Sequence, residues 1–213
     1  ALFIAGQENS LPNILAQQFS LVGGGECTQP LMNDNLGGVL LGGNVILPNR
    51  LIFNGTSPVR LEGNATTELT SPLSGSFNNM GIPGAKSFHL LAPGYGNIAG
   101  VQTGQANPYF VRFASDANAT VIGDAVAQQP TFFSLWIGNN DVLAYATSGG
   151  AGVNQEGNFD PSTYGGNDIT DPNVFAQVYS GLVDALTAGG AKGIVANIPN
   201  VTTIPYFTTV PYN

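Results

Sequence analysis

Apolar residues fall along this chain in short runs separated by long polar stretches, and three segments near the C-terminal end form one pattern. Phe132-Phe133-Ser134-Leu135-Trp136-Ile137 is a continuous apolar run, opened by Pro130, and reads as a buried strand. Val174, Phe175, Val178, Leu182 and Leu186 recur at helical spacing. Asp171 stands where a cap belongs, Pro172 suits the first turn, and Gly189-Gly190 stops the helix. Lys192 to Asn200 reads as a second, fully buried strand ending in a turn. Strand, long helix and strand in one short unit imply a crossover connection and parallel pairing. The fold class predicted is therefore α/β.

Other segments are less regular. Leu11 to Phe19 predicts a helix, with Ser10 as N-cap, Pro12 in the first turn and Gly23-Gly24-Gly25 at its end. Residues 33 to 75 are rich in Gly, Asn, Pro and Thr and read as a surface excursion. Within them Arg50 to Phe53 and Pro58 to Leu61 flank Asn54-Gly55, which predicts a β-hairpin in the region 45 to 70. Asn79 to Gly84 reads as a strand end running into a loop, with a short helix near Ser87 to Leu91. Phe110 to Phe113 is expected to be extended, and residues 146 to 170 to form a long solvated loop.

Composition narrows the function. The 213 residues are 43% hydrophobic, enough for a core, and are expected to form a single domain over 1 to 213. Only 8% are charged, with a net charge of −8. Five scattered bases cannot neutralise a phosphate backbone, so nucleic-acid binding is excluded. One His and one Cys exclude a zinc site of the usual ligand type, Cys27 can form no internal disulfide, and no cofactor is expected. No stretch is long enough to span a membrane. The protein is expected to be extracytoplasmic, secreted or anchored at the cell surface.

Two blocks carry candidate chemistry. Gly138-Asn139-Asn140-Asp141 follows the first apolar run, at the strand end where open α/β proteins place their sites. Upstream lies Asn78-Asn79-Met80-Gly81-Ile82-Pro83-Gly84-Ala85, where a Gly lets a backbone N–H approach a ligand. These blocks, in this order, with Ile194-Val195-Ala196-Asn197-Ile198-Pro199 behind them, resemble the SGNH/GDSL hydrolases, a family of serine esterases and lipases. The similarity runs from about Leu11 to Pro199. It implies a three-layer α/β/α fold of flavodoxin-like type with a mostly parallel sheet. It also implies an oxyanion hole made by the Gly84 N–H and the Asn140 side-chain amide, supported by Asn139 and Asp141. The substrates implied are an ester-bearing small molecule, a lipid or an acylated glycan.

The rest of that family's machinery is not found. The family uses a Ser in a Gly-Asp-Ser-Leu-like block and a His three residues after an Asp. The single imidazole here is His89, and Lys86 stands three positions before it. Glu8-Asn9-Ser10-Leu11 is rejected as the nucleophile block, because Ser10 runs straight into Pro12 and the helix. The sequence is thus expected to be an internal piece of such a protein, its sheet completed by another segment or another chain. Asn154, Glu156, Asp160, Asn167, Asp168 and Asp171 share one Gly-rich loop but fit no EF-hand spacing, so a solvated loop is preferred to a calcium site. Four formal N-glycosylation triplets begin at Asn54, Asn64, Asn118 and Asn200. A non-catalytic binding or assembly protein on the same fold is the rival expectation.

Overall fold

The computed structural model describes residues 2 to 209. The chain is an α/β protein with small sheets, parallel and antiparallel, and it divides into two compact units. The first comprises 1 to 83 and 93 to 128; the second comprises 84 to 92 and 129 to 213.

In the first unit, helix α1 (Ile4–Glu8) precedes α2 (Leu11–Ser20). Ser10 occupies the N-cap position of α2, but its side chain does not cap: its hydroxyl donates to Gln29 Oε1 at 3.1 Å. Strands β1 (Val39–Leu41), β2 (Asn44–Leu47) and β5 (Thr67–Glu68) form one sheet in the order β2-β1-β5, antiparallel then parallel. Strands β3 (Leu51–Phe53) and β4 (Pro58–Arg60) form the hairpin expected around Asn54-Gly55. The excursion is not all surface, however. Val39, Thr67 and Leu69 are buried, and Val39 and Leu69 join Met32, Ala106, Tyr109 and Val111 in a core cluster. Short strands bury individual side chains, which a composition rich in Gly and Asn conceals. Helices α3 (Pro108–Val111) and α4 (Val121–Ala127) complete the unit. The extended reading of 110 to 113 is thus corrected. Asn107 accepts the Tyr109 N–H at 2.9 Å and Pro108 fits the first turn, so a cap chemistry outweighs the β-prone Phe-Val-Arg-Phe run.

In the second unit, β6 (Phe132–Leu135) leads to α5 (Asn139–Thr147) and then α6 (Pro172–Thr187). Strand β7 (Lys192–Val195) and the short α7 (Pro205–Thr208) follow. β6 and β7 pair in parallel, Phe132 opposite Lys192 through Leu135 opposite Val195. Asp171 caps α6 by accepting the N–H of Asn173 and Val174, and Val174, Leu182 and Leu186 of the predicted stripe are buried. Helix α6 packs on a 3₁₀ turn over Ser87–Leu91.

Two expectations fail here. No strand ends near Gly84, and among the described residues the sheet containing β6 and β7 has two strands. Neither strand is buried as expected: β6 is buried only at Leu135, and β7 is short and exposed along its whole length. The apolar run proposes burial, but burial needs a covering layer, which the run itself cannot supply.

Candidate functional site

Gly84-Ala85 at the end of the upstream block lies in the second unit with Gly138 to Asp141, and the start of α5 joins the two. Gly138 turns the chain out of β6 at φ +113°, and a Cβ there would sit 2.7 Å from Ile198 Cδ1 and 2.9 Å from Phe175 Cε2. Both the dihedral and the space demand glycine. The turn places Asn139, Asn140 and Asp141 in the first turn of α5.

Asn140 Nδ2 donates to the Ala85 carbonyl at 2.8 Å. The Asn140 amide is therefore held beside the Ala85-Lys86 peptide, two peptide units after the one that carries the Gly84 N–H. A carboxamide carries two N–H donors, so one remains after this bond. Gly84 is exposed, adopts φ +80°, and has open space where a Cβ would stand. Its N–H meets no protein acceptor among the described residues. Asn139 makes no such contact with this loop; its Oδ1 is buried and unpartnered.

Asp141 turns inward. It is 2% exposed and accepts both the Ser87 N–H at 2.8 Å and the Ser87 hydroxyl at 2.7 Å. Burial pushes its carboxyl above the ordinary value, and the Ser87 bonds and Lys86 oppose that rise. Ser87 is itself fully buried, so its hydroxyl is out of reach of a substrate. The geometry makes Asp141 a clamp between α5 and the loop that starts at Gly84.

The loop expected to be solvated closes this clamp from the other side. Lys86, 4% exposed, donates from Nζ to the carbonyls of Asp168 at 2.7 Å and Gly165 at 3.3 Å. Burial lowers its pKa, while Asp141 and Asp168 raise it. Asp168 accepts from Val153 N at 2.9 Å, Gly165 N at 2.6 Å and Gln155 Nε2 at 2.5 Å. The Val153 bond is the largest cause holding its pKa below the usual range. Asp171 accepts Gly157 N at 2.7 Å besides its cap bonds, and that bond leads the lowering of its pKa. Asp168, Thr170 and Asp171 are buried, which corrects the picture of a solvated loop. The loop's own backbone N–H groups occupy its carboxylates, and no group of three metal-ligating side chains occurs among the described residues.

His89 does not complete a catalytic couple with these groups. Its Nδ1 accepts the Lys86 N–H at 3.0 Å, which leaves the neutral ring's proton on Nε2. Burial, with a smaller contribution from Lys86, lowers its pKa to about 4. Cys27, in the first unit, has its thiol pushed up by burial, which disfavours the thiolate.

Lys86 and Ser87 escaped the sequence reading. The available signal was an isolated lysine in a chain with only 8% charged residues, lodged between Ala85 and Ser87. Comparison with family models, characterised proteins and solved structures gives no match to this chain. No helix among the described residues is long and apolar enough to cross a membrane.

Proposed function

We propose that this chain supplies the oxyanion hole of a serine ester hydrolase of SGNH/GDSL type, on a three-layer α/β/α architecture. The observation that carries the reading is the Asn140 Nδ2 bond to the Ala85 carbonyl. It ties the Asn140 amide to the loop that carries the exposed, uncommitted N–H of Gly84. Two such donors match what a tetrahedral oxyanion requires after attack on an ester carbonyl. Asn140 and Gly84 are the groups that touch the reacting oxygen. Asp141 and Ser87 position them, and Asn139 flanks them.

The attacking Ser and its His base come from outside the 213 residues. A hydroxyl without an adjacent base is a weak nucleophile, and the one imidazole present is committed at Nδ1 to Lys86. The substrate is an ester-bearing small molecule, lipid or acylated glycan, met outside the cytoplasm, and the chemistry calls for no cofactor. The rival reading, a binding or assembly protein on this fold, draws its support from the exposed apolar side chains of β6 and β7.

The test is turnover of an activated ester by the protein encoded by the complete reading frame. Asn140→Ala should reduce kcat by about a hundred- to a thousand-fold, the usual loss for one oxyanion donor. Unchanged turnover removes Asn140 from the mechanism. A fluorophosphonate probe should label no Ser of the 213-residue chain; stoichiometric labelling of any of them overturns the assignment of the nucleophile.

A further inference from the structure

We propose that Asn54, at the tip of the β3–β4 hairpin, is a site of spontaneous intramolecular deamidation, which its own turn promotes by holding the amide oxygen as an oxyanion hole would. Asn54-Gly55 is the one Asn-Gly pair in the sequence. The pair lies in the loop between Phe53 and Pro58, where residues 53 to 58 are all exposed. Asn54 Oδ1 accepts two backbone N–H groups, from Thr56 and from Ser57, each at 2.9 Å. Gly55 adopts φ +97° with nothing within 4 Å of a built Cβ. Neither the Gly55 N–H nor the Asn54 Nδ2 has a hydrogen-bond partner among the described residues.

These groups suit one reaction. Base removes the Gly55 amide proton, and the nitrogen attacks Asn54 Cγ, forming a C–N bond and placing negative charge on Oδ1. The Thr56 and Ser57 N–H groups already point at that oxygen, so they stabilise the tetrahedral species as it forms. Collapse breaks the Cγ–Nδ2 bond, and ammonia leaves after taking a proton from water. The resulting cyclic imide adds water at one of its two carbonyls. One opening leaves aspartate at position 54. The other leaves isoaspartate, which routes the main chain through the former side chain.

The same molecule holds its own controls. Asn97, Asn154, Asn158 and Asn200 also accept the N–H two residues ahead on their side-chain oxygens. Their following residues are Ile98, Gln155, Phe159 and Val201, whose side chains crowd the attacking nitrogen. Asn107 makes the same bond but precedes Pro108, which has no N–H to lose. Only at Asn54 does the polarised oxygen meet an unhindered nucleophile. The product adds a negative charge at the hairpin tip, and the isoaspartate form lengthens the loop that the Asn54 N–H to Ser57 carbonyl bond closes at 3.2 Å.

The experiment ages the purified chain in mildly alkaline buffer made with ¹⁸O-water, folded in one arm and unfolded in urea in the other. Peptide mapping with electron-based fragmentation locates the label and separates aspartate from isoaspartate. Both products should accumulate at position 54 ahead of the other five positions. The folded chain should react at least about tenfold faster than the unfolded one, a modest share of what preorganised donors achieve in enzymes. A folded rate equal to or below the unfolded rate shows that the turn protects Asn54, and overturns the proposal. So does faster reaction at Asn97 or Asn200.

Discussion

The second unit buries a patch made of charges and exposes a patch made of hydrocarbon. Lys86, Asp141, Asp168 and Asp171 lie inside, and each has hydrogen-bond partners. Phe132, Trp136 and Ile194 lie outside, at 40, 57 and 52% exposure, and Val195, at 53%, is exposed on the opposite face, paired with Leu135. Phe132 and Ser134 share one face of β6, and Ile194 stands opposite Ser134 on β7. Parallel sheets ordinarily have both faces covered, whereas this face of β6 and β7 carries exposed apolar side chains. The contrast teaches that burial follows partners rather than residue type. A charge goes inside when backbone groups satisfy it, and an apolar side chain can remain at the surface.

The largest expected effect comes from breaking the buried patch at its centre. Asp141→Ala strands the Ser87 N–H and hydroxyl and leaves Lys86 short of a countercharge, and should cost about 3–5 kcal/mol. The denaturant midpoint measures it. A loss below about 1 kcal/mol, within the net worth of one ordinary hydrogen bond, would mean that the clamp contributes little. Lys86→Met keeps the stem but leaves the Asp168 and Gly165 carbonyls without their donor, for a loss of about 2 kcal/mol.

A smaller effect is set by pH. The folded His89 resists protonation down to about pH 4, whereas its ordinary pKa is 6.5. Between those values the unfolded chain binds the extra proton, so stability falls as pH drops from 6.5 to about 4. Asp168, whose pKa is lowered, contributes stability above its ordinary value of 3.8 that is lost on further acidification. Asp141, whose pKa is raised, acts in the opposite sense: acidification from its folded pKa down to 3.8 restores stability. His89→Gln should flatten the denaturant-midpoint profile between pH 6.5 and about 4, and an unchanged slope there assigns the titration to another group.

The smallest effect on stability belongs to the exposed patch. Trp136→Ser and Ile194→Thr should each shift stability by no more than about 0.5 kcal/mol, as substitutions at exposed positions do. Both should reduce binding of an apolar dye. A loss of several times that size would show the face to be covered in solution, and the contrast between the two patches would collapse.

What the sequence made legible was local. The Asp171-Pro172 cap, the α6 stripe and the Asn54-Gly55 hairpin are each written within a few residues, and each forms. The parallel pairing of β6 with β7 was also readable, since a long helix between two apolar runs leaves few alternatives. The Lys86 contacts were hidden because their acceptors lie 79 and 82 positions away. Asp141 and Ser87 are 54 positions apart, and no short motif joins them. Asn140 was legible as a candidate by type and position, whereas its bond to the Ala85 carbonyl was not.

Those separations bear on how the unit assembles. Local pieces such as α6 and the hairpin can form within microseconds, before distant parts of the chain meet. The Ser87–Asp141 and Lys86–Asp168 bonds each require closure of a loop of 54 or 82 residues, and contacts so remote in sequence slow folding. Until they form, the Asn140 bond to the Ala85 carbonyl has no other long-range bonds to support it. The candidate site is therefore among the last features of the unit to appear, and a chain can carry its native helices for some time before it carries its site.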